Sequence, residues 1–294
     1  MFGYDDDISR DHDFGPGFCI WLCKEDYDKI GADMQKAYSL MAQSFKGFPA
    51  RQVSPRGQNR VGVFEISAFY RQFIGNEQPP QSLMRWLYLP EHKITNAVNG
   101  EVFEDNLGQF TQIRKTLAEY YPEDVRIKKI AARAASMAQS GQYNYARCMR
   151  RKDTFAANLA LGEFYESAIS MTYLLNRQYS PYYKWQFYGL KKSLSAQKDI
   201  DNPTAKRLNY ILNLLKELTV TCDQSIAWEH FTNPYVNSLD RKVVLIEKIC
   251  QTVIEELKYQ NLTFGDNDFL EAHTWNIMNC IKDPEIKSCH ITEG

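Results

Sequence analysis

The sequence predicts an α+β protein: a small mixed sheet with helices at the amino end, followed by a larger all-helical bundle. Three observations predict it. Short β-branched and aromatic runs, at residues 18–23 and 60–66, stand near the start of the chain. From about Ser82 onward, apolar residues instead recur at three- and four-residue steps, the spacing of one helix face. Finally, 294 residues with 44% hydrophobic and 13% aromatic content suffice for a sizeable core divided into two domains of ordinary size. The expected division puts the sheet domain in residues 1–80 and the helical domain in 81–294.

The first strand is expected at residues 18–23, where Gly15-Pro16-Gly17 supplies a bend and the run is apolar enough to be buried. Tyr27, Ile30, Met34, Tyr38, Met41 and Phe45 then mark a helix that Gly47 and Pro49 end. Residues 60–66 form the second strand, with Val61 and Val63 on the face opposite Phe64 and Ile66, and Ser67 is placed to cap a short helix after it. In the helical part, Leu107, Phe110, Ile113, Leu117 and Tyr121 mark a helix stopped near Pro122. Val125, Ile130, Ala134 and Met137 mark the next, stopped near Gly141. A long helix is expected from about Asp153 to Arg177. Asn202-Pro203 is a cap followed by proline at the first helical position, Asp240 opens another helix, and Asp268 opens a last one through Trp275 and Ile281. The tail around Cys289 and His290 is expected to be mobile.

Charge and cysteine content narrow the function classes. With 35 basic and 36 acidic side chains, the chain is unsuited to polybasic wrapping of nucleic acid, which we therefore disfavour as a partner. Seven cysteines, odd in number and widely spread, together with an acidic start that lacks an apolar signal core, point to a reducing cytoplasm. No apolar run approaches the length of about 20 residues that a membrane-spanning helix needs. No zinc spacing, nucleophile elbow or Walker-type loop is present.

The densest polar cluster surrounds Asp11-His12-Asp13. If this stretch is extended, Asp11 and Asp13 project together while His12 points away. Two neighbouring carboxylates disfavour each other's charge unless a cation lies between them, and a hard divalent ion prefers oxygen ligands. Asp-x-Asp in an acidic, solvated turn is the structural alternative. Glu65, on the second strand among apolar neighbours, is either a third carboxylate for such an ion or an edge residue facing water. Asp105 is its runner-up, with a helix-capping role before Leu107 as the alternative.

The run DDISRDHDFGP at residues 6–16 resembles the signature of the bacterial domain of unknown function 4037 family, grouped with polymerase-beta-like nucleotidyltransferases. GEVFED (100–105), YYPEDV (120–125), GQYN (141–144) and YSPYYKW (179–185) resemble later family segments in the same order. The resemblance implies a nucleotidyltransferase-like sheet domain and a helical domain that binds the acceptor, with the active cleft between them. It implies transfer of a nucleoside monophosphate from a nucleoside triphosphate to the hydroxyl of a small-molecule acceptor, with magnesium or manganese as cofactor. Asp11, Asp13 and Glu65 take the catalytic and metal-binding places, and Arg10, Asn144, Arg147, Arg177, Tyr182 and Lys184 are the expected substrate-binding residues. One departure stands out. Superfamily members carry a Gly-Ser turn upstream of the Asp-x-Asp strand, and here only Met1-Phe2-Gly3 stands near that place, so we expect either a truncated start or a catalytically silent ligand- or protein-binding relative.

Overall fold

A parallel strand pair needs a crossover long enough to return the chain to the same end of the sheet, and a helix is its usual form. The computed structural model, which describes residues 3, 4, 6–9, 14–41, 44–51, 60–197, 199, 201–221, 228–232 and 239–294, has this unit at its start. Strand β1 (Cys19–Leu22) pairs in parallel with β2 (Gly62–Glu65), Cys19 opposite Gly62 and Leu22 opposite Glu65, with helix α1 (Lys24–Ser39) between them. Gln35 of α1 fixes the crossover by accepting the Val63 amide at 2.9 Å. The four β1 residues are each only partly buried, since two strands leave β1 with an open edge among the described residues. Helix α1 ends at Ser39, before the expected stop at Gly47, and Phe45 and Phe48 pair instead across the tight turn that Gly47 allows.

The chain forms two units, the first of residues 1–81 and 89–119 and the second of 82–88 and 120–294. It first crosses at Gln81, close to the boundary expected at residue 80, but then returns to the first unit for residues 89–119 before leaving again. The first unit contains β1, β2, α1, α2 (Ile66–Ile74), α4 (Glu91–Val98) and α5 (Gln109–Ala118). An aromatic cluster ties it together: Trp21 of β1 stacks on Phe110 of α5 with centroids 4.1 Å apart, beside Phe69 and Tyr70 of α2. The Tyr70 hydroxyl donates to the Phe110 carbonyl at 3.0 Å, and burial holds this phenol protonated far above the usual range.

In the second unit, α6 (Glu123–Met137) is the hub, with eleven of its fifteen residues buried. Around it pack α3 (Leu83–Tyr88), α8 (Thr154–Leu175), α12 (Thr274–Asn279) and α13 (Pro284–Ser288). Helix α10 (Pro203–Val220) packs on α11 (Arg241–Tyr259), and α9 (Tyr183–Ser195) touches α8 and α10. Caps read in the sequence recur here: Asp153, Asn202 and Asp240 each accept a backbone amide at the head of α8, α10 and α11. Asp283, followed by Pro284, does the same for α13, which the sequence reading missed.

Two expectations are corrected. Gly141 does not stop α6; the helix runs on as an eight-residue π-helix, Ala138–Tyr145, before α7 (Ala146–Arg150). A Cβ at Gly141 would overlap the Phe164 ring of α8 and come within 2.9 Å of Ile246 of α11, so this glycine serves close helix approach, not termination. The second correction concerns the tail, which is anchored. The fully buried Lys128 ammonium donates to the carbonyls of Ile291, at 3.1 Å, and Glu293, and Arg133 donates to that of Gly294 at 2.9 Å. A buried cation needs acceptors, and the tail backbone supplies them. No helix among the described residues is long and apolar enough to cross a membrane.

Candidate functional site

Arg10, Asp11, His12 and Asp13 lie outside the described residues. The segment that follows them is described, and Gly15 within it has φ near +135°. A Cβ at Gly15 would stand 2.8 Å from the Arg51 Cα, so glycine lets the Arg51 backbone press against the run that leads from Asp13 into β1. The Arg51 Nε is buried and has no hydrogen-bond partner among the described residues. Burial pushes the nearby Cys19 thiol up, with the Arg51 charge pulling the other way. Arg51 was not singled out by sequence reasoning, because a lone arginine in a Pro- and Gly-containing loop carries no periodic or motif signal.

Glu65 is neither a free ligand nor an edge residue facing water. Only 9% exposed, its carboxylate caps α2, one oxygen accepting the Ser67 amide and the other the Ala68 amide, each at 2.7 Å. The expected cap, Ser67, is thus a donor to the real one. Each oxygen of the Glu65 carboxylate thus holds one backbone amide of the first turn of α2. Asp105 has the same kind of duty, accepting the Gly108 amide at 2.9 Å and the Thr111 amide at 2.8 Å. Burial pushes its carboxyl up, but these hydrogen bonds outweigh it and hold the pKa below the usual range. Among the described residues, no group of three or more His, Cys, Asp or Glu side chains is arranged to hold a metal ion.

In the helical unit, Arg177 sits at the end of α8 in the left-handed region, φ 53°. Its two terminal nitrogens both donate to Glu123, at 2.8 and 3.1 Å. Arg126, 1% exposed, grips the same carboxylate from the other side at 2.6 and 3.1 Å. Burial pushes Glu123 up, but the two guanidinium groups outweigh it and bring its pKa down to about 2. The network continues inward. Arg126 donates to Gln260, Gln260 to the fully buried Glu256, and Glu256 also accepts from Thr204 and from Arg207 at 2.6 Å. Arg177 is therefore committed to a structural ion pair, a use that its position after the helix did not disclose.

The π-helix carries the GQYN segment. Gln142 is turned inward, donating to Glu247 at 2.6 Å and to the Asp268 carbonyl while accepting the Leu270 amide. Asn144 is exposed. Arg147, one turn on, donates to the Tyr143 hydroxyl at 2.8 Å and lies over that ring, 4.5 Å from its centroid. A π-helix often marks a functional position because its widened turn re-aims side chains. Tyr182 and Lys184 stand at the head of α9, both exposed, with Lys184 over the Trp185 ring at 5.4 Å. These two segments reach α8 at different heights: Gly141 abuts Phe164, while Tyr173 donates to the Gln186 carbonyl at 2.8 Å. Nine residues of α8 correspond to a rise of about 13 Å.

Residues 86–186 match a family model described as Domain of unknown function (DUF4037). Over that segment the chain is similar to this family. No curated protein and no solved structure matches the chain. The DUF4037 segment contains α6, the π-helix, α8 and the first turn of α9, and with them Glu123, Asn144, Arg147, Arg177, Tyr182 and Lys184. Asp11, Asp13, Arg51 and Glu65 precede it.

Proposed function

We propose that this protein transfers a nucleoside monophosphate from a nucleoside triphosphate to the hydroxyl of a small molecule, in a reaction that depends on magnesium or manganese. Asp11 and Asp13 are the carboxylates assigned to the cation, and Glu65 is reassigned from ligand to the cap that fixes the start of α2. The observation that carries this reading is the close approach at Gly15. It lays Arg51, with a buried guanidinium nitrogen lacking a partner, beside the run leading from the aspartates into a rigid parallel strand pair. A guanidinium is suited to a polyphosphate because it offers several donors in one plane. The exposed Asn144, Tyr182 and Lys184 and the half-buried Arg147 are the acceptor-side candidates.

A second reading, a catalytically silent binding relative, is favoured by one specific observation: both candidates for a third carboxylate, Glu65 and Asp105, are spent on helix caps. Thermal shift with magnesium and each nucleoside triphosphate separates the two when paired with a pyrophosphate-release assay. A ligand at 100 times its dissociation constant stabilises by about 2.7 kcal/mol. The transfer reading expects such a shift, pyrophosphate release in the presence of acceptor extracts, and loss of release in Asp13→Asn. Absence of release, with or without a shift, supports the silent reading, and no shift with any nucleotide overturns the transfer reading.

A further inference from the structure

Residues 167–198 contain no aspartate or glutamate, yet they hold Arg177, Lys184, Lys191, Lys192 and Lys198. Helix α9 lies inside this acid-free stretch, and its orientation is fixed. Gly189, Leu190 and Leu194 are buried, and the Gln186 carbonyl is held by Tyr173. Away from those positions, Phe187 (38% exposed), Tyr188 (49%), Lys184, Lys191 and Lys192 face solvent, and Tyr183 (71%) stands at their flank in the first turn, above the buried Leu190. Leaving three large rings in water costs free energy that a buried arrangement would recover. No aliphatic side chain shares this face, and the Tyr182 ring lies tilted against Tyr183, centroids 4.5 Å apart, to widen its aromatic end.

We infer that this face of α9 binds single-stranded polynucleotide, with bases stacked on Tyr183, Phe187 and Tyr188 and backbone phosphates met by Lys184, Lys191 and Lys192. Charge complementarity selects the occupant: a local cationic strip without acidic neighbours in sequence favours a polyanion, although the whole chain is nearly neutral. Ring chemistry selects the kind of polyanion, since flat faces alternating with ammonium groups suit stacked bases and their phosphates. The spacing agrees. Side chains four apart on a helix rise by about 6 Å, close to the step of an extended single strand. The inference does not depend on nucleotidyl transfer.

Fluorescence anisotropy of the full chain with labelled dT12 and U12 tests it. We expect saturable binding that weakens with salt, with a logarithmic slope near −2 for three phosphate contacts at about 0.7 each. Tyr183→Ala with Phe187→Ala should weaken binding at least tenfold, and Lys184→Gln with Lys191→Gln should flatten the salt slope by about 1.4. All four side chains lie on the surface, and an unchanged melting temperature establishes that the variants fold. Absence of binding at low salt, or binding that the variants leave intact, overturns the inference. So does capture by phosphatidylserine vesicles without capture of either oligonucleotide, which would assign the face to a membrane.

Discussion

Glu123 balances two guanidinium groups on one carboxylate, and the consequence is a pH dependence with a definite sign. A carboxylate whose folded pKa is depressed contributes stability that is present above its unfolded value, near 4.3, and lost as pH falls toward the folded value of about 2. We expect Glu123→Gln to lower stability by about 1–2 kcal/mol at pH 7, the moderate size reflecting a side chain that is 47% exposed. The difference from wild type in urea midpoint should shrink between pH 4 and pH 2; a constant gap across that range would mean that the pair is not the source. Glu65 permits a similar test. Removing its cap in Glu65→Ala should cost about 1 kcal/mol whether or not magnesium is present, whereas a metal ligand would lose its effect in the absence of the ion. The acidity of Glu65 was legible in the sequence. Its duty was not, because a glutamate between apolar residues looks the same whether it faces an ion or the first turn of the next helix.

At the scale of elements, the features that one or two residues determine were the readable ones. Asp153, Asn202-Pro203 and Asp240 announce α8, α10 and α11 because a cap needs a short polar side chain at a single position, and that position shows in the sequence. The π-helix was not readable, since its cause lies in two other helices. Gly141 looks like a terminator until Phe164 and Ile246 are known to occupy the space where its side chain would be. Gly141→Ala should therefore destabilise by about 1–3 kcal/mol through overpacking, although alanine is the better helix former. A neutral or stabilising result in thermal melts would show that α6 and α8 separate at little cost. Lys128 offers the complementary test in the tail. Lys128→Met should speed hydrogen exchange in residues 289–294, while amides of α6, held by apolar packing on several sides, keep their protection.

For the whole molecule, the pattern of strand-like runs and helical spacing is compatible with the small two-stranded sheet and the mostly helical content observed. It could not indicate that the chain visits the two units in the order first, second, first, second, because α3 is a short helix whose partners lie in distant sequence. Trp86 meets Tyr121 edge to face, the Tyr88 hydroxyl donates to Glu293, and Cys289 lies 3.8 Å from the Met84 sulfur. The matched family segment, residues 86–186, likewise ends before α10, which holds Arg207, and before α11 and its C-cap, which hold Glu256 and Gln260 of the buried network. Excised alone, that segment should be poorly soluble and bind dyes that report exposed apolar surface, since Arg126 would lose acceptors and α8 would lose cover.

Gly294 rests so close to Leu87 that a Cβ on it would come within 2.8 Å of that side chain, which makes circular permutation feasible. A recombinant chain that starts at Tyr120, runs through Gly294, and continues by a few Gly-Ser residues into Ser82–Tyr88 would complete the helical unit as one uninterrupted polypeptide. We expect it to melt cooperatively on its own, where the same chain without the grafted α3 does not, and crystallisation of that permutant would be the direct route to its ligands.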